Sequence, residues 1–185
     1  AYEIGVRLVG SEMCIRDRSN TVVGTKMTNL GIRNALTDNG MKFIEADVGD
    51  RYVMNHLIKN KAILGGEGSG HIICLNKSTS GDAIIAALQV LEVVAKSGKS
   101  LFDLKSEMTK YPQVLINIKT EGKVNLNDSK LIELIDTVES KLTDKGRLLV
   151  RESGTEPLVR IMVECADNAL ATESAKQISE AIQSM

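Results

Sequence analysis

Short β-branched runs alternate with helical patterns over the first two thirds of the chain. In the helical patterns apolar residues recur every three or four positions, and polar residues or glycines mark the ends. Strands that alternate with helices predict an α/β architecture, here an α/β/α domain built on a mixed sheet. The predicted strands lie at residues 21–25, 41–48, 62–64 and 72–75, and the predicted helices at 30–36, 50–58 and 83–96.

A second unit is predicted to begin near the sequence KYP at residues 110–112, where the proline disfavours a helix. The elements after it follow the order strand, helix, two strands and helix. That order predicts a smaller α+β domain with an antiparallel sheet and two helices. Its elements lie at residues 114–119, 129–142, 147–151, 158–164 and 169–182. We expect one domain over residues 19–108 and a second over 109–185, preceded by a head of residues 1–18.

The charge balance argues against nucleic-acid and membrane partners. Lys and Arg number 23 and Asp and Glu number 24, so the formal net charge is -1. Aromatic residues make up 3% of the chain and tryptophan is absent, which removes the stacking platforms of single-strand binders. No apolar run reaches the roughly 20 residues that a membrane span needs. A small, polar, charged ligand is the better expectation.

The cysteine pattern predicts a reducing compartment. Cys14, Cys74 and Cys165 are far apart and form neither a C-x-x-C pair nor a spacing suited to zinc. Lone thiols are typical of proteins that stay in the cytoplasm. The first residues also lack the apolar core of a signal peptide. We therefore expect a cytoplasmic protein.

The segment GGEGSGH at residues 65–71 is the first candidate for chemistry. In an extended backbone Glu67, Ser69 and His71 would point to one side, and the glycines between them would leave the other side bare. A carboxylate, a hydroxyl and an imidazole in a row suit the neighbouring hydroxyls of a sugar, and glycines allow the backbone to approach it closely. The alternative is a flexible hairpin loop whose Glu and His are only solvated.

The segment RESGTEPLVR, between the last two predicted strands, predicts an anion site. Ser153 and Thr155 offer hydroxyls, and Gly154 permits a tight bend with converging backbone N–H groups. Arg151 and Arg160 supply forked donors that match a phosphate dianion. The alternative is a hairpin turn closed by an Arg–Glu surface pair.

Five motifs stand in a fixed order along the chain: VVGT (22–25), VGDRYV (48–53), GEGSGH (66–71), SGD (80–82) before an ALQVL helix, and RESGTEPLVR (151–160). Together they resemble the glucosamine branch of the α-D-phosphohexomutase superfamily, and the likeness covers about residues 20–185. The last motif is highly specific to that superfamily. GDRYV and SGD favour the glucosamine branch over the phosphomannomutases and phosphoglucomutases, which are the alternative.

The resemblance implies a four-domain enzyme that interconverts glucosamine 6-phosphate and glucosamine 1-phosphate on the route to cell-wall amino sugars. A phosphoserine in the first domain donates and recovers the phosphoryl group, with glucosamine 1,6-bisphosphate as the intermediate. A Mg²⁺ ion held by an aspartate-rich loop of the second domain supports that serine. Neither loop occurs in this sequence, so we expect neither a catalytic residue nor a metal ligand here. The chain alone should bind phosphosugar weakly and turn nothing over.

By the same resemblance the chain corresponds to the third, sugar-binding domain and the fourth, phosphate-binding domain. The sugar contacts carried over are Glu67, Ser69 and His71. The phosphate contacts carried over are Arg151, Ser153, Gly154, Thr155 and Arg160. Asp50 and Arg51 are further candidates for substrate contact, against the alternative of a helix cap and an ion pair. A function of another class also stays open, a non-catalytic phosphosugar-binding module.

Residues 1–18 are expected to match nothing in the superfamily. Their stretch GSEMCIRDR looks like translated sequencing-adaptor read-through. We therefore expect a foreign, unstructured head on a truncated gene product. Truncation also predicts an apolar face on residues 20–110 that is left uncovered where the second domain would dock.

Overall fold

The computed structural model describes residues 20–106, 108–120, 124–153 and 156–185. The described chain divides into two compact units between Lys110 and Tyr111. The head predicted for residues 1–18 lies outside the described residues. Each unit has its own sheet and its own buried core, so each is considered by itself.

The first unit alternates strands and helices, as its sequence pattern predicts. Its described elements are β1 (Thr21–Thr25), α1 (Leu30–Asp38), β2 (Lys42–Ala46), α2 (Asp50–Asn60), β3 (Leu64–Gly66), β4 (Ile72–Cys74), α3 (Ala83–Ser97) and α4 (Leu101–Ser106). The strands form one sheet in the order β2-β1-β3-β4. β1 runs parallel to both β2 and β3, whereas β4 runs antiparallel to β3.

Helices cover both faces of this sheet. On one face α1, α3 and α4 bury Leu36, Val93 and Leu104 in a common cluster. On the other face α2 buries Val53 and Leu57. Every residue of the central strand β1 is buried, as expected for a strand covered on both sides. The predicted α/β/α domain with a mixed sheet is confirmed.

Side-chain caps and glycines set the ends of the helices. The Asp82 carboxylate accepts the backbone N–H groups of Ile84 at 2.8 Å and Ile85 at 3.0 Å, which satisfies two donors that α3 leaves open. α3 ends at Gly98, whose φ of 65° is a left-handed conformation that favours glycine. Asp128 and Asp167 cap the two helices of the second unit in the same way.

Two elements of the first unit differ from the prediction. α4 was not predicted, because its six residues are too few for a helical period to stand out. β3 begins at Leu64 and includes Gly65 and Gly66, whereas the sequence places a strand at 62–64. Glycine has weak strand propensity, but a Cβ added at Gly65 would lie 2.9 Å from the carbonyl oxygen of Val23. Close packing against β1 therefore requires glycine at position 65. Because glycine has weak strand propensity, the sequence pattern does not predict this part of β3.

The second unit is a three-stranded antiparallel sheet covered on one face by two helices. Its elements are β5 (Gln113–Lys119), α5 (Ser129–Leu142), a short 3₁₀ turn (Thr143–Lys145), β6 (Gly146–Glu152), β7 (Leu158–Cys165) and α6 (Asn168–Gln183). The strand order is β5-β7-β6. Val159, Ile161 and Val163 of the central strand are buried in one cluster with residues of α5 and α6. The predicted α+β domain is confirmed.

A buried ion pair lies on the opposite face of this second sheet. The side chain of Glu164 is fully buried and accepts the Nε–H of Arg147 at 2.6 Å. The amide of Gln113 also donates to Glu164, at 3.2 Å. The three residues stand side by side on adjacent strands. Because a buried carboxylate without partners is strongly destabilising, this cluster fixes the register of all three strands.

α3 carries an exposed apolar face. Ile84, Leu88 and Leu91 are spaced four and three residues apart, so they lie on one side of the helix, and each is more than half exposed. This face lies within residues 20–110, and that another domain docks on it stays a prediction. Among the described residues no helix combines the length and the apolar character that crossing a bilayer requires.

Two leucines of the first unit provide a matched test of this packing. Leu57 is fully buried, whereas Leu88 is 55% exposed. Leu57→Ala should lower the free energy of unfolding of this unit by about 2–5 kcal/mol, because it opens a cavity in the core. Leu88→Ala should change it by less than about 0.5 kcal/mol. Urea denaturation followed by amide signals of the first unit measures both values, and equal losses would contradict the packing described.

Candidate functional site

Three loops of the first unit meet at the carboxyl ends of its parallel strands. Lys26 follows β1, residues 47–49 follow β2, and residues 67–71 follow β3. In sheets of this kind ligands bind outside the carboxyl ends of the strands, because the loops there converge and the helices begin there. The glycine-rich segment identified from sequence is therefore at the edge where a ligand is expected.

The segment of residues 67–71 is a tight turn rather than an extended chain. The backbone N–H of Glu67 donates to the carbonyl of His71 at 2.9 Å, and the N–H of Gly70 donates to the carbonyl of Glu67 at 3.1 Å. Gly70 has a φ of 101°, which favours glycine. The alternation of an extended strand therefore does not apply here, and the turn between β3 and β4 brings Glu67, Ser69 and His71 together instead.

The carboxylate of Glu67 is held from two sides. Its Oε1 atom accepts a short hydrogen bond from the backbone N–H of Gly49, at the start of α2. Its Oε2 atom accepts the hydroxyl of Ser69 at 3.3 Å. A negative charge at the start of a helix is also favoured by the helix dipole. Glu67 therefore links the turn after β3 to the loop after β2 and has a defined orientation.

His71 forms its contact with Asp50, the first residue of α2. The Nδ1 atom of His71 lies 3.1 Å from Oδ2 of Asp50, and both side chains are about half exposed. The other carboxylate oxygen of Asp50, Oδ1, is buried and has no hydrogen-bond partner among the described residues. Asp50 is thus brought into the cluster, and it does not cap α2 with its side chain.

Arg51, the other further candidate, is exposed on α2. No ion pair or side-chain hydrogen bond joins it to the described residues of the cluster of Asp50, Glu67, Ser69 and His71. The structure brings these four side chains together, and it does not bring Arg51 to them.

Asp50, Glu67 and His71 offer metal-ligand atoms that all lie within 4.8 Å of one another. One imidazole and two carboxylates suit a transition metal better than Mg²⁺, which prefers an octahedron of oxygen atoms. The donor set therefore does not fit the Mg²⁺ that the family resemblance implies. The expectation that Mg²⁺ has no ligands in this chain stays a prediction.

A lysine–aspartate pair lies at the same edge of the sheet. Lys26 Nζ is 2.6 Å from Asp47 Oδ1, and Lys26 also donates its backbone N–H to Ala46 at 3.0 Å. The hydrogen bond from Lys26 and its positive charge hold the pKa of Asp47 below its usual value. Arg33 donates to the backbone carbonyl of Thr25 at 3.3 Å and so fixes the end of β1.

The second candidate site is the hairpin between β6 and β7. Arg151 on β6 and Arg160 on β7 are direct cross-strand partners, so their side chains lie on the same face. The N–H of Ser153 donates to the carbonyl of Leu158 at 2.8 Å and closes the hairpin. The structure therefore brings Arg151, Ser153 and Arg160 to one end of the sheet. Gly154 and Thr155 lie outside the described residues.

Arg160 is only partly hydrogen-bonded where it lies. Its Nη2 atom donates to Oε2 of Glu156 at 3.1 Å, in an ion pair exposed to solvent. Its Nε atom is buried without a hydrogen-bond partner among the described residues. The Arg–Glu pair of the simple-turn alternative is thus present. An exposed ion pair of this kind contributes about 0–1 kcal/mol to stability, so a bound anion could replace Glu156 as the partner of Arg160.

A cavity of about 340 Å³ lies beside this hairpin but is a poor phosphate site. Its lining includes Ser153 together with the carboxylates of Glu152 and Glu156, and no described arginine lines it. Like charges repel a phosphate dianion. The sheet face that carries the two arginines is the better candidate for anion binding.

Sequence analysis missed the contacts that join these segments. Three contacts join different segments of the first unit. They are the ion pair of Lys26 with Asp47, the hydrogen bond from the Gly49 N–H to Glu67, and the contact of Asp50 with His71. The available signal was position, since Lys26 and Gly49 stand just after predicted strands and Asp50 at the start of a predicted helix.

Family models match both units of the chain. The model described as "Phosphoglucomutase/phosphomannomutase, alpha/beta/alpha domain III" matches residues 6–111. The model described as "Phosphoglucomutase/phosphomannomutase, C-terminal domain" matches residues 115–181. The first match begins at residue 6 and so overlaps the head that was expected to match nothing in the family. That segment lies outside the described residues.

Curated relatives match nearly the whole chain. A phosphoglucosamine mutase of Ruthia magnifica subsp. Calyptogena magnifica is 60% identical over 162 residues, which cover 87% of this chain and 37% of the relative. A phosphoglucosamine mutase of Hydrogenovibrio crunogenus is 46% identical over 163 residues, covering 88% of this chain and 37% of the relative. The chain thus spans little more than a third of the length of these relatives.

Solved structures share the fold. A structure of Aspergillus fumigatus N-acetylphosphoglucosamine mutase has a TM-score of 0.83 at 18% identity, over 98% of this chain and 43% of that one. Another, in complex with GlcNAc-6P and magnesium, has a TM-score of 0.81 at 18% identity, over 97% of this chain and 45% of that one. A phosphoglucomutase/phosphomannomutase family protein from Burkholderia thailandensis has a TM-score of 0.73 at 16% identity, over 98% of this chain and 42% of that one.

The Lys26–Asp47 contact predicts a measurable change in acidity. Lys26→Met should raise the pKa of Asp47 toward its ordinary value, because it removes both the hydrogen bond and the charge that favour the carboxylate. Carboxyl-carbon NMR titration of the wild type and the variant measures the shift. Asp103, whose pKa is lowered chiefly by hydrogen bonds from Ser100, serves as the internal control and should titrate unchanged. An unchanged Asp47 would contradict the contact.

Proposed function

Because the chain belongs to the phosphoglucomutase/phosphomannomutase family, we propose that it forms the substrate-binding, C-terminal portion of an enzyme that interconverts glucosamine 6-phosphate and glucosamine 1-phosphate. The shared name of the curated relatives supports an amino sugar as the substrate. In this proposal residues 19–108 are the sugar-binding domain and residues 109–185 are the phosphate-binding domain. The two buried thiols, Cys74 and Cys165, agree with a reducing cytoplasm.

The phosphate end of the substrate binds at the hairpin between β6 and β7. The observation that carries the proposal is the direct cross-strand pairing of Arg151 with Arg160. Like charges directly opposite each other destabilise a sheet. A bound phosphate dianion would relieve this repulsion for both arginines, whereas the exposed Glu156 contacts only Arg160. Two guanidinium groups also match the oxygen atoms of a phosphate dianion. Ser153, Gly154 and Thr155 complete this site in the proposal.

The sugar end binds at the cluster of Glu67, Ser69 and His71. Glu67 is oriented by the Gly49 N–H and the Ser69 hydroxyl, and its remaining lone pairs accept sugar hydroxyls. Asp50 holds the Nδ1 edge of His71, which leaves Nε2 for a sugar hydroxyl. Asp50 is thus a positioning residue for His71. Arg51 keeps its place only as a further candidate.

These groups suit a mutase, whose substrate reacts at either end. A fixed anion site holds whichever phosphate is not reacting, and hydroxyl-binding groups accept the sugar in both orientations. Binding at these remote positions orients the reacting oxygen and lowers the entropic part of the barrier. The residues of this chain therefore bind and orient the substrate.

The phosphoryl transfer is assigned to the part of the enzyme that the relatives have beyond this chain. There a phosphoserine gives its phosphoryl group to a sugar hydroxyl, which forms glucosamine 1,6-bisphosphate, and then takes back the phosphoryl group from the other position. Mg²⁺, when bound there, neutralises the charge on the phosphoryl oxygens. No described residue of this chain is assigned a role in that step.

Binding of glucosamine 6-phosphate tests the proposal. The chain should bind this ligand weakly, and Arg151→Gln or Arg160→Gln should weaken binding about tenfold, because each removes a charge-assisted hydrogen bond. Titration followed by amide NMR signals measures the affinity. Lys141→Gln is the matched control, since Lys141 is an exposed cation on α5 and should not affect binding.

Three outcomes of this titration are informative. Equal affinity of wild type and arginine variants would refute the phosphate site. Tighter binding of mannose 6-phosphate or glucose 6-phosphate than of glucosamine 6-phosphate would favour the related mutases. Glucosamine without phosphate should bind at least tenfold more weakly than its 6-phosphate, and equal affinity would contradict anion recognition.

The purified chain should show no mutase activity on its own. Its sequence lacks the serine and aspartate loops that the family resemblance assigns to the phosphoryl transfer. Phosphorus NMR of glucosamine 6-phosphate incubated with the chain, Mg²⁺ and glucosamine 1,6-bisphosphate should show no glucosamine 1-phosphate above the rate of a protein-free control. Turnover by the chain would overturn the assignment of its role.

A further inference from the structure

The face of the second sheet that carries the two arginines continues onto a third strand. On the central strand β7, Val159 and Ile161 point into the helix-covered core, so the intervening Arg160 lies on the opposite face, here named the outer face. Asn117 of β5 is the direct partner of Arg160 on its other side. Asn117, Arg160 and Arg151 therefore form one row across all three strands.

Lys119 lies two residues further along β5, on the same outer face and closer to the hairpin. It pairs with Leu158, which follows directly on the hairpin loop. The N–H of Thr120 donates to the carbonyl of Pro157 at 3.0 Å, which fixes this end of β5 against the loop. Neighbouring strands are about 4.8 Å apart, so the long stem of a lysine on β5 can reach an anion held over β7.

The described charges at this end of the outer face are unbalanced. Lys119, Arg151 and Arg160 are cations, and Glu156 is the carboxylate that contacts one of them. Glu164, on the same face, is already paired with Arg147 and lies at the far end of the strands. A dianion placed over the row of Asn117, Arg160 and Arg151 would therefore meet a net positive field.

Asn117 and Lys119 have no evident part in stabilising the sheet. Both side chains are exposed. Asparagine is disfavoured in strands, and its presence beside Arg160 is not explained by packing. A lysine on an edge strand has one structural use, since it hinders pairing with a strand of another molecule. Parallel measurements of ligand affinity and of sedimentation separate that use from ligand binding.

We propose that Asn117 and Lys119 complete the phosphate site of Arg151 and Arg160, so that residues from all three strands bind the phosphate monoester. Lys119 supplies a third positive charge, and the Asn117 side-chain amide donates a neutral hydrogen bond to a phosphate oxygen. Arg160 exchanges its exposed bond with Glu156 for the ligand. The inference rests on the proposed function, because it extends the anion site assigned there.

The test measures the affinity of the full chain for glucosamine 6-phosphate and for inorganic phosphate by amide NMR titration. Lys119→Gln should weaken both about fivefold, since it removes one exposed positive charge from the site. Asn117→Ala should weaken both about two- to threefold. Lys119→Arg should keep most of the affinity, because it restores the charge. Arg160→Gln is the positive control and Lys141→Gln the negative control.

The outcomes distinguish the inference from the proposal on which it rests. If Arg160→Gln weakens binding while Lys119→Gln and Asn117→Ala do not, the inference is wrong and the proposed phosphate site stands. If Arg160→Gln has no effect, the proposed site itself is wrong and the inference falls with it. If Lys119→Gln changes only the sedimentation behaviour and leaves affinity intact, the lysine protects the sheet edge and the inference is overturned.

Discussion

Two arginines directly opposite each other in an antiparallel ladder are the constraint on which the account of the second unit depends. The register of β6 against β7 places the side chains of Arg151 and Arg160 on the same outer face of the sheet. The buried Glu164–Arg147 pair further along the same strands fixes that register. A shift of either strand by one residue would turn the arginine of that strand toward the apolar core. The stability of the sheet and the position of the anion site therefore share one cause.

The first unit reaches its site by a different route. Parallel strands bring the loops after β1, β2 and β3 to one edge, and side-chain bonds then tie these loops together. Glu67 bonds to the start of α2, and His71 bonds to Asp50 in the same helix. These contacts hold the side chains of Glu67 and His71 in place before a ligand binds. Side chains that are already ordered lose little entropy on binding, which favours the binding of a small polar ligand.

Sequence reasoning succeeded where the physics is local. Helix ends at Asp82 and Gly98 follow from capping chemistry, and the alternation of apolar residues on the last strands follows from the pleat. It failed at β3, because the need for glycine at Gly65 comes from a neighbouring strand, and at α4, because six residues carry too little pattern.

The candidate site could be predicted from the sequence only in part, for the same reason. The residue types in the two glycine-containing segments indicate sugar and anion chemistry, since those groups suit hydroxyls and phosphates wherever they lie. The partners of those residues come from other elements. Asp50 contacts His71 because the loops after β2 and β3 end at the same edge of the sheet. Asn117 lies beside Arg160 only because β5 pairs with β7. Such contacts need the tertiary structure.

The central claim is that the paired arginines bind the phosphate of the substrate. The most direct measurement follows the side-chain Nε–Hε signals of Arg151 and Arg160 by NMR while glucosamine 6-phosphate is added. The account predicts that both signals shift and saturate together, whereas glucosamine without phosphate leaves them in place. Arginine signals that stay unchanged while the sugar phosphate binds elsewhere on the chain would contradict it.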